Sequence, residues 1–164
     1  MPTIDLLARG ILTLLPLAIS LGITRCTRRV RTDPRARATP PGWVFSVVWT
    51  TLYLVLGALL AVLLVPREPR KALPRGTTGA LLTLLVLHLG LTYAWTPLYT
   101  AGRKRASLYL ILGILASALA LQTLLIAAEQ TTFAVLLAPY IAWLIFALLL
   151  NYEAVSVEPS RPPY

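Results

Sequence analysis

Charged side chains are scarce in this 164-residue sequence and account for 13% of it. Soluble domains carry about 25% charged residues, because they have to present a polar surface to water. Hydrophobic residues make up 57% of the chain, and its mean hydropathy is +0.75. This composition cannot cover a water-facing surface, so the sequence predicts a protein whose main solvent is lipid.

The residues needed for common catalytic and metal sites are also scarce, since the chain has one cysteine and one histidine. A disulfide within the chain is therefore excluded, and a Cys/His metal site lacks its ligands. The sequence contains no Gly-rich phosphate loop, and no Asp or Glu lies in the middle of an apolar run. Acid–base and metal catalysis are poorly supported, so we assign no catalytic residue and no metal ligand. His88 is interpreted as a hydrogen-bonding residue between helices, with catalysis as the alternative.

Long apolar runs are what the sequence does have. About 20 apolar residues in a helix cross the roughly 30 Å hydrocarbon core of a bilayer, and five runs approach that length. No segment alternates polar and apolar residues as a barrel strand does, and backbone groups in lipid must pair internally. The predicted fold is therefore all-α, an integral membrane bundle of five transmembrane helices in one domain over residues 1–153. The predicted spans are about 6–24, 43–65, 79–99, 107–128 and 133–152, followed by a short disordered tail over 154–164.

The first run has a second interpretation as a cleaved signal peptide, because its apolar stretch is short. Its leading segment carries one Arg and one Asp rather than a clearly basic start. We therefore prefer the interpretation as a first transmembrane span.

The formal charge of +9 is concentrated between the apolar runs. On a soluble protein it would indicate nucleic-acid binding, but loops of a membrane protein explain it here, and no nucleic-acid partner is predicted. Cytoplasmic loops are enriched in Lys and Arg. With five spans, this rule predicts an external N-terminus and a cytoplasmic C-terminus, without distinguishing a mitochondrial outer membrane from a bacterial inner membrane. The largest basic cluster follows the first span and consists of Arg25, Arg28, Arg29, Arg31, Arg35 and Arg37.

Aromatic residues recur at helical spacing on three of the spans. On the second span, Phe45, Trp49 and Tyr53 are four residues apart and therefore share one face. Flat aromatic groups with a few polar atoms are typical of a pocket for a large, flat, apolar ligand. The alternative is an aromatic belt at the membrane interface, and both interpretations stay open for Trp43 and Tyr152. The two other stripes are His88, Thr92, Trp95 and Tyr99 on the third span, and Tyr140, Trp143, Ala147 and Asn151 on the fifth.

Two further patterns concern helix geometry. Pro97, near the end of the third span, removes a backbone donor and is expected to kink or end that helix. The fourth span has small residues four apart, in the pairs Gly113/Ser117 and Ala116/Ala120. Such pairs allow another helix to approach closely, either a neighbour in the same chain or a dimer partner.

Three of these segments resemble the motifs of the translocator protein family, also called tryptophan-rich sensory proteins or peripheral benzodiazepine receptors. "PPGWVFSVVWTTLYLVLG" is similar to the signature of its second helix. "LTYAWTPLYTAGRKRASL" resembles the third-helix segment, in which the family has Asn at the position of Thr92. "LAPYIAWLIFALLLNYE" resembles the fifth-helix segment. The motifs occur in the family's order and cover most of residues 39–153.

The resemblance implies a five-helix bundle, often a homodimer, which binds tetrapyrroles (porphyrin, haem), sterols (cholesterol) and benzodiazepine- or isoquinoline-type ligands. No cofactor is implied beyond a bound porphyrin or haem. The alternatives are an enzyme that degrades porphyrin in light, with Trp49 and Trp143 as its reactive residues, and a structural or regulatory membrane subunit without a small-molecule ligand. Carried over by motif, the ligand-binding residues are Trp49, Tyr53, Thr92, Trp95, Pro97, Trp143, Phe146 and Ala147.

The sequence departs from the family's pattern in the first loop. Family members usually have aromatic residues there, which fold over the pocket, whereas this chain reads "RRVRTDPRARATPPGW". The lid over the pocket is therefore either absent or built differently. One hypothesis is that cations such as Arg35 and Arg37 attract the carboxylates of a porphyrin instead.

Overall fold

The computed structural model describes residues 2–27, 41–66 and 73–156. Over these ranges the chain forms five helices and no strand, and each helix is long and apolar enough to cross a membrane. The predicted all-α, five-helix membrane fold is confirmed. The helices are α1 (Pro2–Cys26), α2 (Gly42–Leu64), α3 (Arg75–Thr100), α4 (Lys104–Ala127) and α5 (Thr131–Ser156).

Several predictions fall on parts of the chain outside the described residues. They concern the first-loop lid with Arg35 and Arg37, most of the basic residues of the first two loops, and the tail from residue 157 onward. The tail prediction is wrong for residues 154–156, because α5 continues through them to Ser156. A run of apolar residues identifies only the part of a helix that lies in hydrocarbon. The helix itself, with its backbone hydrogen bonds, can continue into the polar layer of the membrane. There the Ser156 hydroxyl donates to the carbonyl of Glu153 at 2.9 Å.

Pro97 lies inside α3 and does not end it, since the helix continues to Thr100. Its carbonyl accepts hydrogen bonds from the Thr100 hydroxyl and from the Ala101 N–H, both at 3.0 Å. Gly102 follows with a φ of 75°, a left-handed conformation that glycine adopts without steric cost and that commonly closes a helix. The helix therefore stops at the glycine rather than at the proline.

The five helices pack as two units. One unit is the pair α1 and α2, and the other is α4 with α3 and α5 on its two sides; α2 meets α3 and α5 less closely. Small or aliphatic side chains form most of the contacts within each unit. In the unit of α3, α4 and α5, the fully buried ones include Leu81, Ile111, Ile114 and Leu144. The boundary between the two units runs along α2.

Gly57 brings α2 very close to α1. A Cβ added at this position would overlap the backbone carbonyl of Thr13 and come within 2.9 Å of the Thr13 Cα. Because backbone atoms cannot move aside as the end of a side chain can, no residue with a Cβ fits here without separating the helices. The α1–α2 contact therefore depends on the missing side chain.

The two small-residue pairs of α4 face in different directions. A Cβ at Gly113 would lie 3.7 Å from Leu91 Cδ1, and Ser117 hydrogen-bonds His88, so this pair packs against α3. Ala116 and Ala120 are exposed on the outside of the bundle. The interpretation as an internal helix contact is therefore correct for the first pair.

Candidate functional site: an aromatic seam along α2

Aromatic rings fill the boundary between the two packing units. We call these residues the aromatic seam. Indole and phenol rings are large and hold the backbones of facing helices apart. This explains why α2 packs less closely against α3 and α5 than against α1. The seam consists of Phe45, Trp49 and Tyr53 on α2, Tyr93, Trp95 and Tyr99 on α3, and Trp143 and Phe146 on α5.

Between α2 and α3, the rings form one continuous stack of five. Trp49 lies at its centre, 6.0 Å from Trp95 and 5.9 Å from Tyr53 between ring centroids, with interplanar angles of 25° and 30°. Tyr93 extends the stack beyond Tyr53 at 5.7 Å, and Tyr99 extends it beyond Trp95 at 4.8 Å. These separations are typical of direct aromatic contact.

Between α2 and α5, a second group of rings centres on Trp143. Its indole meets Phe45 edge to face at 5.3 Å and lies 5.5 Å from Phe146. Phe45 therefore belongs to the seam, although the family motifs did not assign it to the ligand site. Its spacing four residues before Trp49 was the available signal.

Two indole N–H groups of the seam are buried without a hydrogen bond. In the described part of the chain, three buried side-chain polar atoms lack a partner, and they are Trp95 Nε1, Trp143 Nε1 and Arg9 Nε. Leaving a buried donor unpaired costs about 1–3 kcal/mol. Unpaired buried donors are rare in native proteins, and a bound ligand or water molecule is a common partner for them.

Thr92 and Ala147 lie deeper, and both are buried. The Thr92 hydroxyl donates to the backbone carbonyl of His88 at 2.8 Å, so its remaining capacity is that of an acceptor. The Ala147 carbonyl accepts from the side-chain amide of Asn151 at 2.8 Å, and Asn151 also receives a hydrogen bond from Ser107 at 3.3 Å. Pro97 differs from the other predicted residues, because it is exposed on α3 and contributes no ring contact.

His88 is the centre of a buried polar cluster that connects three helices. Its Nδ1 lies 2.8 Å from Ser117 Oγ on α4, and its Nε2 lies 2.7 Å from the Tyr140 hydroxyl on α5. The side chain has no exposed surface. The interpretation of His88 as a hydrogen-bonding residue between helices is confirmed. Because both ring nitrogens are engaged, His88 does not fit the role of an axial ligand to haem iron.

The spacing pattern does not identify Tyr93, since it lies one position away from the stripe of Thr92 and Trp95. Its hydroxyl donates to the backbone carbonyl of Pro16 on α1 at 2.9 Å while its ring stacks on Tyr53. It also borders a groove of about 300 Å³ between α1, α2 and α3. The other residues of this groove are apolar: Leu15, Pro16, Ile19, Leu60, Val86, Leu89 and Gly90.

A flat ligand can meet the seam only in certain ways. A sheet of atoms between two parallel rings needs about 7 Å, twice the carbon–carbon contact distance of about 3.5 Å. Trp49 and Trp95 are 6.0 Å apart and already in contact, so such a ligand fits against the outer face of the stack, or displaces a ring. Among the described residues, no group of three His, Cys, Asp or Glu side chains could hold a metal ion. The rings and the indole N–H groups of the seam offer stacking and hydrogen bonding to such a ligand.

Five membrane-length helices enclosing an aromatic seam define the chain as an integral, multi-pass α-helical membrane protein. The sequence profile of the TspO/MBR family matches residues 11–156, a segment that reaches all five helices. The chain therefore belongs to the TspO/MBR family, and the resemblance stated from the motifs is confirmed.

Relatives from animals and bacteria support this assignment. The chain is similar to the translocator protein of Ovis aries, 32% identical over 128 residues that cover 74% of this chain and 70% of that protein. It is also similar to the tryptophan-rich sensory protein of Cereibacter sphaeroides, 28% identical over 75% of this chain and 72% of that protein. Protein CrtK of Rhodobacter capsulatus is 23% identical over a stretch that covers 76% of this chain and 74% of that protein. Together, the family and these relatives support a ligand-binding membrane protein that resides in a lipid bilayer.

Proposed function

We propose that the protein is a membrane receptor or carrier for large, planar, apolar ligands, with tetrapyrroles such as porphyrin and haem as the main class. Sterols such as cholesterol and isoquinoline- or benzodiazepine-type compounds are further candidate ligands of the same site. The observation that carries the proposal is the pair of buried, unpartnered indole N–H groups of Trp95 and Trp143 within an array of aromatic rings.

The chemistry of the seam favours ligands that combine a flat ring system with acceptor oxygens. The exposed faces of the rings stack on the ligand, and burial of its apolar surface contributes most of the affinity. The two indole donors suit carbonyl or carboxylate oxygens, which would remove the cost of burying those donors unpaired. Thr92 is buried, and its hydroxyl is already engaged with the His88 carbonyl and the Tyr140 side chain, so we expect it to line the site without hydrogen-bonding the ligand. In this proposal the binding residues are Trp49, Tyr53, Thr92, Trp95, Trp143, Phe146 and Ala147, with Phe45 added and Pro97 left at the margin.

Light-dependent breakdown of the bound porphyrin is a second candidate. The observation in its favour is that Trp49 and Trp143 both lie in ring-to-ring contact within the seam, where an excited ligand could oxidise them. Incubation with protoporphyrin in light and in darkness, followed by absorption spectra of the products, separates breakdown from passive binding.

The orientation and assembly of the protein follow as part of the proposal. The basic first loop favours an external N-terminus and a cytoplasmic C-terminus. The exposed pair Ala116 and Ala120 on α4 offers a small-residue surface to a second copy, which is consistent with a homodimer. Cysteine labelling of Cys26, which is exposed at the end of α1, from each side of sealed vesicles would test the orientation.

Ligand binding is tested by titrating the purified protein with protoporphyrin and with cholesterol while recording tryptophan fluorescence. We expect saturable quenching by protoporphyrin and a weakening of about 1–3 kcal/mol in Trp143→Ala, the scale of one buried aromatic contact. Trp43→Ala is the matched control, because Trp43 is 68% exposed. Equal affinities in a folded Trp143→Ala protein and in the wild type would refute the proposed site.

A further inference from the structure

Two hydrogen arrangements fit the contacts of the cluster around His88, and we adopt the one in which Ser117 donates to its own helix. Ser117 Oγ lies 2.9 Å from the backbone carbonyl of Ile114, which can only accept, and the hydroxyl proton of Ser117 is directed there in this arrangement. Ser117 then accepts from His88, which places a proton on Nδ1. In a neutral imidazole, Nε2 is then an acceptor, and it receives the hydroxyl proton of Tyr140 at 2.7 Å.

This arrangement is a phenol paired with a base that can take its proton. We propose that Tyr140 and His88 form a redox-active tyrosine site, in which Tyr140 gives an electron to an oxidised tryptophan of the aromatic seam and passes its proton to His88. The oxidant is a tryptophan radical cation. It is produced by ultraviolet photoionisation of an indole, or by electron transfer from an indole to a photoexcited ligand.

Tyr140 loses one electron and one proton in this step, and they go to different acceptors. The phenol O–H bond of Tyr140 breaks, its electron goes to the tryptophan radical cation, and its proton goes to Nε2 of His88. The products are a neutral Tyr140 phenoxyl radical, a neutral tryptophan and an imidazolium at His88. The positive charge therefore moves from the seam to the buried histidine.

No hydrogen bond of the cluster has to break during this transfer. Before it, Tyr140 donates to Nε2, and afterwards Nε2–H donates to the phenoxyl oxygen across the same 2.7 Å contact. The new imidazolium keeps its Nδ1–H bond to Ser117, whose own proton still points to Ile114. A site whose hydrogen bonds already suit both states needs little reorganisation when the charge arrives.

The path for the electron is short. Tyr140 and Trp143 are three residues apart on α5, so their Cβ atoms are about 5–6 Å apart on the same side of the helix. Trp143 in turn contacts Phe45 of the seam. The Tyr140 ring meets the His88 ring edge to face at 5.4 Å. The pair therefore lies next to the seam while staying fully buried, which protects a radical from solvent.

Tyr93 provides a comparison within the same bundle. Its hydroxyl also makes a hydrogen bond, at 2.9 Å, but the acceptor is the backbone carbonyl of Pro16. A carbonyl oxygen accepts a hydrogen bond without being able to take the proton as a base. Hydrogen bonding alone thus does not distinguish the two tyrosines, whereas the chemical nature of the acceptor does.

The proposal is tested by electron paramagnetic resonance on the full chain in lipid nanodiscs, after ultraviolet irradiation of the frozen sample and brief annealing. No tetrapyrrole is added, so this experiment can fail or succeed independently of the proposed ligand-binding function. We expect a phenoxyl radical signal that is lost in Tyr140→Phe and unchanged in Tyr93→Phe. In His88→Gln, the amide oxygen can still accept from Tyr140 but cannot take its proton, so the signal should fall to the Tyr140→Phe background.

A second measurement needs only the wild-type protein and does not depend on the folding of any variant. Electron–nuclear double resonance should detect one exchangeable proton coupled to the phenoxyl oxygen, supplied by Nε2 of His88, and this coupling should disappear after exchange into D₂O. A wild-type signal that persists in folded Tyr140→Phe, an undiminished signal in folded His88→Gln, or a phenoxyl radical without an exchangeable proton would each overturn the proposal.

Discussion

The two sides of α2 are packed in opposite ways. Toward α1, Gly57 has no side chain, and the helix backbones lie almost in contact at Thr13. Toward α3 and α5, large rings separate the backbones and leave two indole donors unpaired. The first contact can only hold the fold together, because no room exists in it. The second leaves hydrogen-bonding capacity unused, as a binding site does before its ligand arrives.

The largest expected effect on stability comes from adding a side chain at Gly57. In Gly57→Val, the new side chain meets the Thr13 backbone, and we expect a loss of more than about 3 kcal/mol in the free energy of unfolding, at or above the upper range for overpacking. Reversible unfolding in mixed detergent micelles would measure it. Gly90→Val is the control, because a Cβ at Gly90 has no heavy atom within 4 Å. Similar losses in both variants would contradict the close α1–α2 contact.

The next effect concerns the polar cluster inside the second packing unit. In His88→Leu, the Tyr140 hydroxyl loses its acceptor and Ser117 loses a donor. We expect destabilisation of about 2–3 kcal/mol, because buried polar groups are left unpaired. The same unfolding assay measures the change. Ser117→Ala should cost less, because it leaves only Nδ1 of His88 without its partner, whereas His88→Leu removes a partner from both Ser117 and Tyr140. If His88→Leu leaves the free energy of unfolding unchanged, the cluster does not hold α3, α4 and α5 together.

A smaller change separates the ring of Trp143 from its N–H group. Trp143→Phe keeps an aromatic ring against Phe45 and removes the unpaired donor. We expect protoporphyrin affinity to fall by about 1 kcal/mol, roughly fivefold, while the stability of the ligand-free protein stays the same or rises. If affinity is unchanged, the indole donor does not contact the ligand, and only the ring remains as a candidate contact.

The smallest expected effect on stability lies on the outer face of α4. Ala116→Leu adds an apolar side chain to an exposed position, so the unfolding free energy should change by no more than about 0.5 kcal/mol. If a second copy packs on this face, the same substitution should shift the monomer–dimer equilibrium toward monomer in analytical ultracentrifugation. An unchanged equilibrium would argue against this face as the dimer surface.

The sequence predicted the fold well, because apolar length and charge placement determine membrane helices nearly alone. It predicted the ends of the helices less well. Pro97 was expected to kink or end α3; it does not end the helix, which continues to Thr100 and is followed by Gly102 with its positive φ. The tail was expected from residue 154, although residues 154–156 continue α5.

The candidate site was predictable in its composition but not in its contacts. Spacing placed Phe45, Trp49 and Tyr53 on one face, and the structure shows that these rings meet those of α3 and α5. The involvement of Tyr93 could not be predicted, since it depends on how α1 lies against α3. The hydrogen-bond partners of His88 could not be predicted either, because Ser117 and Tyr140 are 29 and 52 residues away in sequence. The motif also included Pro97, which faces outward.

Photolabelling would show whether planar ligands bind at the aromatic seam. The protein in nanodiscs would be irradiated with a photoreactive derivative of protoporphyrin, with and without excess protoporphyrin, and the labelled residues identified by mass spectrometry. We expect labels on seam residues such as Trp49, Trp95 and Trp143, and we expect excess protoporphyrin to reduce them. Labels confined to the apolar groove around Leu15, Val86 and Gly90, or labels that excess protoporphyrin does not reduce, would contradict it.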